Sequence, residues 1–579
     1  MNHTIVGIDF GTSTTVVKVK NYSEGRSPQG CQSLTFNGKS CLPTLIFEDN
    51  SGKLYFGDEA EAKVLEGAQG VLHQNFKMGL IGNSEQQAGA KRLVREFFKH
   101  LYSEFIISRQ GLGVYPHLKT YVSYPAKWTS ETRSLMKQCA MEAGFGNENN
   151  VFGENEPTAA IFAAIAANME NLQREHIIIR NRPVNVMMLD MGAGTSDIAI
   201  FKFKIDDNNK PVINELITYP AIDNVYFCGG SEVDRLLADY LIEYVRNISN
   251  NNQVPSGIKE MINGRVKFWK ERSVSSVLKN NGRVNFPGDL EPALNFMKQN
   301  GILKDMPFEG IGRRQFELLT QPHWQQLRSL IADSINEAKN RLHDFNGAGD
   351  IDLVVLSGGH SLWYGVTEFI LGNNFAGLDP LHFSKIEQQP QRLLRETHPQ
   401  ETVATGLVYK DMPFDVKYTM GSSLWVRYTV EGKQSPIIPI AKHNDVLPIS
   451  QHANFNEVVA GTLFRTDSIP VKCEFLFGSS TATAKTYTIM KKVPMPDVVL
   501  NYIIGVLLGS PIAVGKFIYD WVQYNWDIAV AKTPELFQEN YKVIITSDVN
   551  ISEEEAVNIN GELKIGGNSA HIPFTIKIG

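Results

Sequence analysis

The sequence predicts an α/β protein of two similar lobes, followed by a smaller, mostly β C-terminal domain. Three observations carry that prediction. A strand–turn–strand pattern at the start, TIVGIDF–GTST–TVVKV (4–19), recurs as VNVMMLD–MGAGTSD–IAIFKF at 184–203. Helical periodicity fills the interval between the copies and returns after the second. Beyond about residue 410, short runs of Val, Ile, Thr and Tyr alternate with turn residues. A chain of 579 residues is also too long for one hydrophobic core.

In each copy, β-branched and apolar residues flank a small-residue turn, as a buried hairpin requires. Each first strand ends in an Asp (Asp9, Asp190), and a Gly- and Thr-containing turn follows it. The duplication predicts two lobes facing each other, about 1–182 and about 183–400, within a unit spanning 1–410. Between the copies, 129–143 opens with a Thr and places Glu131 in its first turn, as a helix start does. Residues 157–173 begin with Pro157 at a first helical position. Ala160, Ala163, Ala164 and Ala167 recur at helical spacing, which predicts a face that another backbone approaches closely. Residues 231–248 read as an amphipathic helix with Leu237, Tyr240, Leu241, Tyr244 and Val245 on one side. A helix at about 326–344 precedes the strand IDLVVL, which ends in SGGHS (357–361). The C-terminal part, 411–579, reads as a small sandwich, from runs such as SLWVRYTVEGKQSPIIPIA and YKVIITSDVNI. An apolar helical insertion at about 497–532 interrupts it.

Composition narrows the classes. Hydrophobic residues at 42% and charged residues at 20% fit a soluble chain, and a net charge of −6 gives no sign of a nucleic-acid or anionic-membrane surface. Five scattered cysteines form no C-x-x-C pair, so neither a zinc site nor a disulfide framework is expected. With no basic stretch followed by an apolar one at the start, no secretory signal is expected, and a reducing, cytoplasmic setting fits. From Val498 to Gly515 no residue is charged. The run is slightly short for a membrane span and contains Asn501, Ser510 and Pro511, so it reads as a buried or amphipathic helix, with membrane contact as the alternative.

The turns carry the chemistry. Backbone N–H groups bind phosphate well because they are fixed, and Gly, Ser and Thr let the chain come close. DFGTST (9–14) and DMGAGTSD (190–197) offer such donors, each beside an Asp able to hold a hydrated Mg²⁺. SGGH after a third buried strand adds another turn. The rival phosphate motif is absent: GKS at 38–40 lacks its upstream Gly, the position being Ser33. No G-x-G-x-x-G opens a helix after a strand.

In their order along the chain, these motifs resemble the seventy-kilodalton heat-shock (DnaK-like) chaperone branch of the actin-like ATPases. GIDFGTSTTVVKV (7–19) looks like the first phosphate loop of that family, and NFKMGLIG (75–82) like the segment of its catalytic lysine. SYPAKWTSETRSLMKQCAMEAGF (123–145) is similar to its V-P-A-x-F strand and helix, and GENEPTAA (153–160) to its I-N-E-P-T-A-A. LDMGAGTSDIAI (189–200) resembles the second phosphate loop and CGGSEVD (228–234) its L-G-G-x-x-x-D. IGRRQFELL (311–319), VLSGGHS (355–361) and HPQETVATGL (398–407) resemble its I-T-R-x-x-F-E stretch, adenosine motif and second connecting helix. The likeness spans about residues 4–410 and implies an actin-like ATPase with duplicated ribonuclease-H-like lobes.

By position, the resemblance implies roles. Asp9 and Asp190 would hold Mg²⁺ through water. Gly11, Thr12, Ser13, Thr14, Gly192, Ala193, Gly194 and Thr195 would contact the phosphates of ATP or ADP. Lys77 would stabilise charge at the γ-phosphate, and Glu156 and Asp197 would order water, making Lys77, Glu156, Asp190 and Asp197 the catalytic set. Gly229, Gly230, Lys270, Gly358, Gly359 and His360 would line the nucleotide. Pro125 and Arg133 match a switch proline and its partner, although Arg133 also reads as a solvated helix charge.

Departures stand beside the matches. The second loop has Ala193 where the family has Gly, which requires a negative φ there. In VKFWKER (266–272), Lys267 stands where the family has an acid and Glu271 where it has an arginine, while Lys270 is kept. The acidic, leucine-rich linker is replaced by YKDMPFDV (409–416), and no long C-terminal helical lid follows. IPIAKHNDVLPIS (438–450) and YKVIITSDVN…GELKI (541–565) resemble the family's substrate sandwich, with an unrelated β module as the alternative. The implied function is a slow ATP-driven switch with a protein or peptide client, and a cochaperone or dedicated partner. The alternative is a nucleotide-regulated scaffold or filament subunit. A small-molecule kinase fits least, because the Lys77 and NEPTAA segments point to water as acceptor.

Overall fold

The structure is a computed structural model. It describes residues 2–23, 30–81, 84–126, 128, 130–208, 210–219, 228–255, 257–395, 398–409, 415–462, 468–478, 480–482, 484–494, 538–552, 556–565 and 572–578. The chain divides into two compact units, Met1–Tyr418 and Thr419–Gly579.

Two sheets organise the first unit. One runs in the order Gln32–Ser33, Thr14–Tyr22, His3–Phe10, Leu118–Tyr124, Val151–Asn155, with Cys41–Pro43 also paired to Thr14–Tyr22. The other runs Leu393–Arg395, Leu353–Ser357, Val184–Met191, Ser196–Ile205, Pro211–Tyr219, Asp415–Lys417. Both follow one plan. An antiparallel hairpin forms first, and two further strands then add in parallel to the outer side of its first strand. The hairpins are the two sequence copies. Their strands are apolar on both faces because helices cover both sides.

Three apolar cores result. One lies in the first lobe, around Phe10, Phe97, Phe98 and Phe105. A second lies in the other lobe, around Leu237, Leu241, Trp324 and Leu356. The third joins the lobes: Ile5, Ala160, Ile161, Val186, Met188, Val355 and Leu407 belong to a single cluster. At its centre two helices cross, Glu156–Arg174 and Thr402–Val408. The approach is close enough that a Cβ on Gly406 would lie 1.6 Å from the carbonyl oxygen of Ala159. The expected small-residue face is shifted by this crossing. Ala159, Ala160, Ala163 and Ala164 are buried, whereas Ala167 is exposed, because the seven-residue partner helix is too short to reach it.

Among its described residues, every regular element of the second unit is a strand. One sheet is built on Ser423–Val430, Ser468–Gly478 and Lys485–Pro494, and the other on Ile449–Thr462, Gln538–Ile551, Val557–Ile565 and Ile572–Ile578. Their inner faces meet where the buried Tyr428 hydroxyl and Ser547 Oγ lie 2.8 Å apart and Tyr428 stacks on Phe455. The expected helical insertion at 497–532 lies outside the described residues, as does Gly82 of the 75–82 segment.

The helix crossing yields a test. Gly406→Ala drives a methyl group into backbone and should cost about 1–3 kcal/mol or more. Gly264→Ala, on a helix position with no atom within 4 Å of the new methyl, should leave stability unchanged or slightly raised. Urea unfolding followed by circular dichroism compares the two.

Candidate functional site

The two hairpin turns are built alike. Gly11 N–H donates to the Thr14 carbonyl at 3.1 Å, and Gly192 N–H donates to the Thr195 carbonyl at 3.0 Å. A Cβ on Gly11 would lie 2.3 Å from the Thr14 oxygen, so glycine is required there. Ala193 is not among the residues of positive φ, so its methyl group meets the condition the sequence set. Both turns face one cavity of about 490 Å³ between the lobes.

Each turn brings its aspartate to that cavity. Asp9 accepts from Ser123 Oγ at 2.7 Å, on the neighbouring parallel strand. Asp190 has Ser357 beside it in the same relation, and Asp197 directly opposite it across the hairpin. Facing carboxylates on paired strands repel, so this register is retained at a cost unless a cation sits between them. Burial, then the charges of Glu156, Asp9 and Asp197, hold Asp190 well above the usual carboxylate range. Desolvation, then Glu156, raises Asp9, against the opposing pull of Lys77 and the Ser123 hydrogen bond.

Lys77 sits on a 3₁₀ turn, Phe76–Ile81, and is buried. Its ammonium donates to Glu156 Oε1 at 2.8 Å and lies over the rings of Trp128 and Phe10. Glu156 is fixed because its helix is capped: Asn155 Oδ1 accepts from Thr158 N–H at 2.7 Å, and Pro157 occupies the first turn. The N-E-P-T sequence is therefore a helix start that aims a carboxylate into the cavity.

The opposite wall comes from the second lobe. Lys270 pairs with Asp234 at 2.7 Å and donates to the Gly230 carbonyl at 2.9 Å. Gly358 has φ +78, and a Cβ there would lie 2.2 Å from the Met191 carbonyl oxygen. His360 lines the cavity, with His323 behind it, their Nε2 atoms 2.9 Å apart. Trp324 stacks on His360. Burial pushes His323 down to about 4, and burial with His323 and Lys270 holds His360 well below the ordinary imidazole value. Both rings are neutral at pH 7.

Among the residues lining the cavity are Asp9, Gly11, Thr12, Ser13, Thr14, Lys77, Pro125, Glu156, Asp190, Gly192, Ala193, Gly194, Thr195, Asp197, Gly230, Lys270, Gly358, Gly359 and His360. Gly229 stands behind the second turn instead, where a Cβ would lie 2.3 Å from the Ala193 carbonyl oxygen. Arg133 is away from the cavity, donating to the Ala126 carbonyl with its guanidinium over Tyr124. Ser123 beside Asp9, Trp128 under Lys77 and His323 behind His360 escaped the sequence reading and left no local signal. Lys267, which the sequence marked only as a basic residue in an acidic place, donates to Ser13 Oγ at 2.8 Å.

The fold and this cavity define an α/β protein with a polar cleft between two similarly built lobes. Residues 117–375, somewhat under half of the chain, match the family model described as Hsp70 protein. That match supports a nucleotide-binding function of the chaperone type. No curated protein matches the chain. Among the described residues, no helix is long and apolar enough to cross a membrane.

The histidine pair makes stability pH-dependent. A folded pKa near 4 against about 6.5 unfolded means the unfolded chain binds more protons between those values. Stability from His323 is full above pH 6.5 and is lost as pH falls toward 4. Between pH 7.5 and 5 the His323 share of the change in urea-unfolding stability should be about 2 kcal/mol, read as the amount by which His323→Gln flattens the slope. Equal slopes in both proteins would contradict the assignment.

Proposed function

We propose that this chain is an ATP-binding and ATP-hydrolysing conformational switch of the actin-like, two-lobed kind, coupling nucleotide state to a protein or peptide client. The observation that carries the reading is the pairing of two matching turn–aspartate units across one cavity, beside a buried Lys77–Glu156 ion pair. Turn N–H groups from both lobes would hold the polyphosphate, so that closing the lobes and binding the nucleotide are one event.

The residues fit a hydrated divalent cation. Asp190 and Asp197 face each other in register, and Asp9 shares the cavity. Among the described residues no three His, Cys, Asp or Glu side chains converge to grip a metal directly, which favours a hold through water. Mg²⁺ bound there would neutralise phosphate oxygens and the developing charge. Lys77 would stabilise the transferring γ-phosphoryl group from the cavity floor. Glu156, fixed by its helix cap, would position Lys77 and accept from the attacking water.

Coupling outward would start from the end of the first unit. Asp415–Lys417 adds as a strand to the edge of the second lobe's sheet, and Tyr418 OH donates to Glu154 at 2.9 Å, two residues before Glu156. The crossing helices Glu156–Arg174 and Thr402–Val408 would be the surface on which the lobes shear.

Single-turnover hydrolysis tests the reading. Slow wild-type turnover with Mg²⁺ should fall about 10²–10³-fold in Lys77→Ala and in Asp190→Ala. ATP binding with no turnover above the variants would replace the ATPase by a nucleotide-regulated scaffold.

A further inference from the structure

Three lysines line the cavity: Lys77, Lys267 and Lys270. Two are already neutralised, Lys77 by Glu156 and Lys270 by Asp234. Lys267 differs, since among the described residues no carboxylate lies within ion-pair distance of it. Its one hydrogen bond goes to a neutral acceptor, Ser13 Oγ, at 2.8 Å. Ser13 belongs to the first-lobe turn, while Lys267 comes from the helix Ile258–Trp269 of the second lobe. The buried Ile262, Val266 and Trp269 anchor that helix and so fix the base of the lysine. The bond therefore spans the cleft and ends at the first-lobe turn.

An ammonium carries three donors, and a hydroxyl takes up one of them without cancelling the charge. Glu61 lies near enough to feel the charge of Lys267 but outside ion-pair distance, so a cation held beside the turn backbone remains complementary to an anion at that point. We infer that Lys267 is a phosphate-binding residue: it reaches from the second lobe into the first-lobe turn and exchanges Ser13 for a phosphate oxygen of the bound nucleotide. It would thereby select for phosphorylated ligands over the bare nucleoside. The inference rests on the nucleotide reading above and adds a residue that reading does not use.

The test is calorimetric binding of adenosine, ADP and ATP to the full chain, for wild type, Lys267→Met and Lys267→Glu. Losing one charged hydrogen bond should weaken ADP and ATP by about 10–100-fold in the Met variant, and further in the Glu variant. Adenosine affinity should stay within about twofold, which also shows that both variants keep a folded cleft. Equal weakening of all three ligands, or no weakening of ADP and ATP, would overturn the role of Lys267. Wild type binding none of the three would overturn the nucleotide reading itself.

Discussion

The structure depends on carboxylates brought together at strand ends where they repel. Asp190 faces Asp197 across one hairpin, Asp9 ends the matching strand of the other lobe, and Glu156 adds a fourth charge. Among the described residues, Lys77 pairs with Glu156 at ion-pair distance. An arrangement so costly persists because rigid elements impose it. The hairpins lie inside apolar sheets, the helix of Glu156 is capped by Asn155, and Gly406 lets a second helix lock the first in place. On the proposed function, a cation and a polyphosphate between the turns would offset the crowding of these carboxylates.

Duplication explains why one cavity has two such walls. Each lobe carries the same hairpin, the same Gly-to-Thr turn hydrogen bond, and a serine next to its aspartate on the neighbouring parallel strand. The lobes differ in what surrounds these parts. The first contributes the buried Lys77 over Trp128, and the second contributes Lys270 with Asp234 and the paired imidazoles of His323 and His360. One plan, used twice, is thus furnished with different side chains in the two lobes.

Local patterns made much of this legible in the sequence. The strand–turn–strand copies, the Pro157 helix start and the strand before SGGH each leave a short-range signature, and all three form as regular elements. What the sequence hid was long-range. Asp197 reads as part of a turn, but pairing places it on a strand opposite Asp190. Ala167 shares a face with Ala160, yet only the length of the partner helix decides that it stays exposed. Lys267 and Ser13 are separated by 254 positions, and nothing local to either announces their meeting.

On the proposed function, these carboxylates hold a divalent cation that binds together with a nucleotide. The most direct test is ATP affinity of the full chain with Mg²⁺ and with excess chelator. Mg²⁺ should tighten ATP binding about tenfold or more, because it removes the repulsion between phosphate and the aspartates. ATP binding of equal or greater strength without Mg²⁺ would contradict the account.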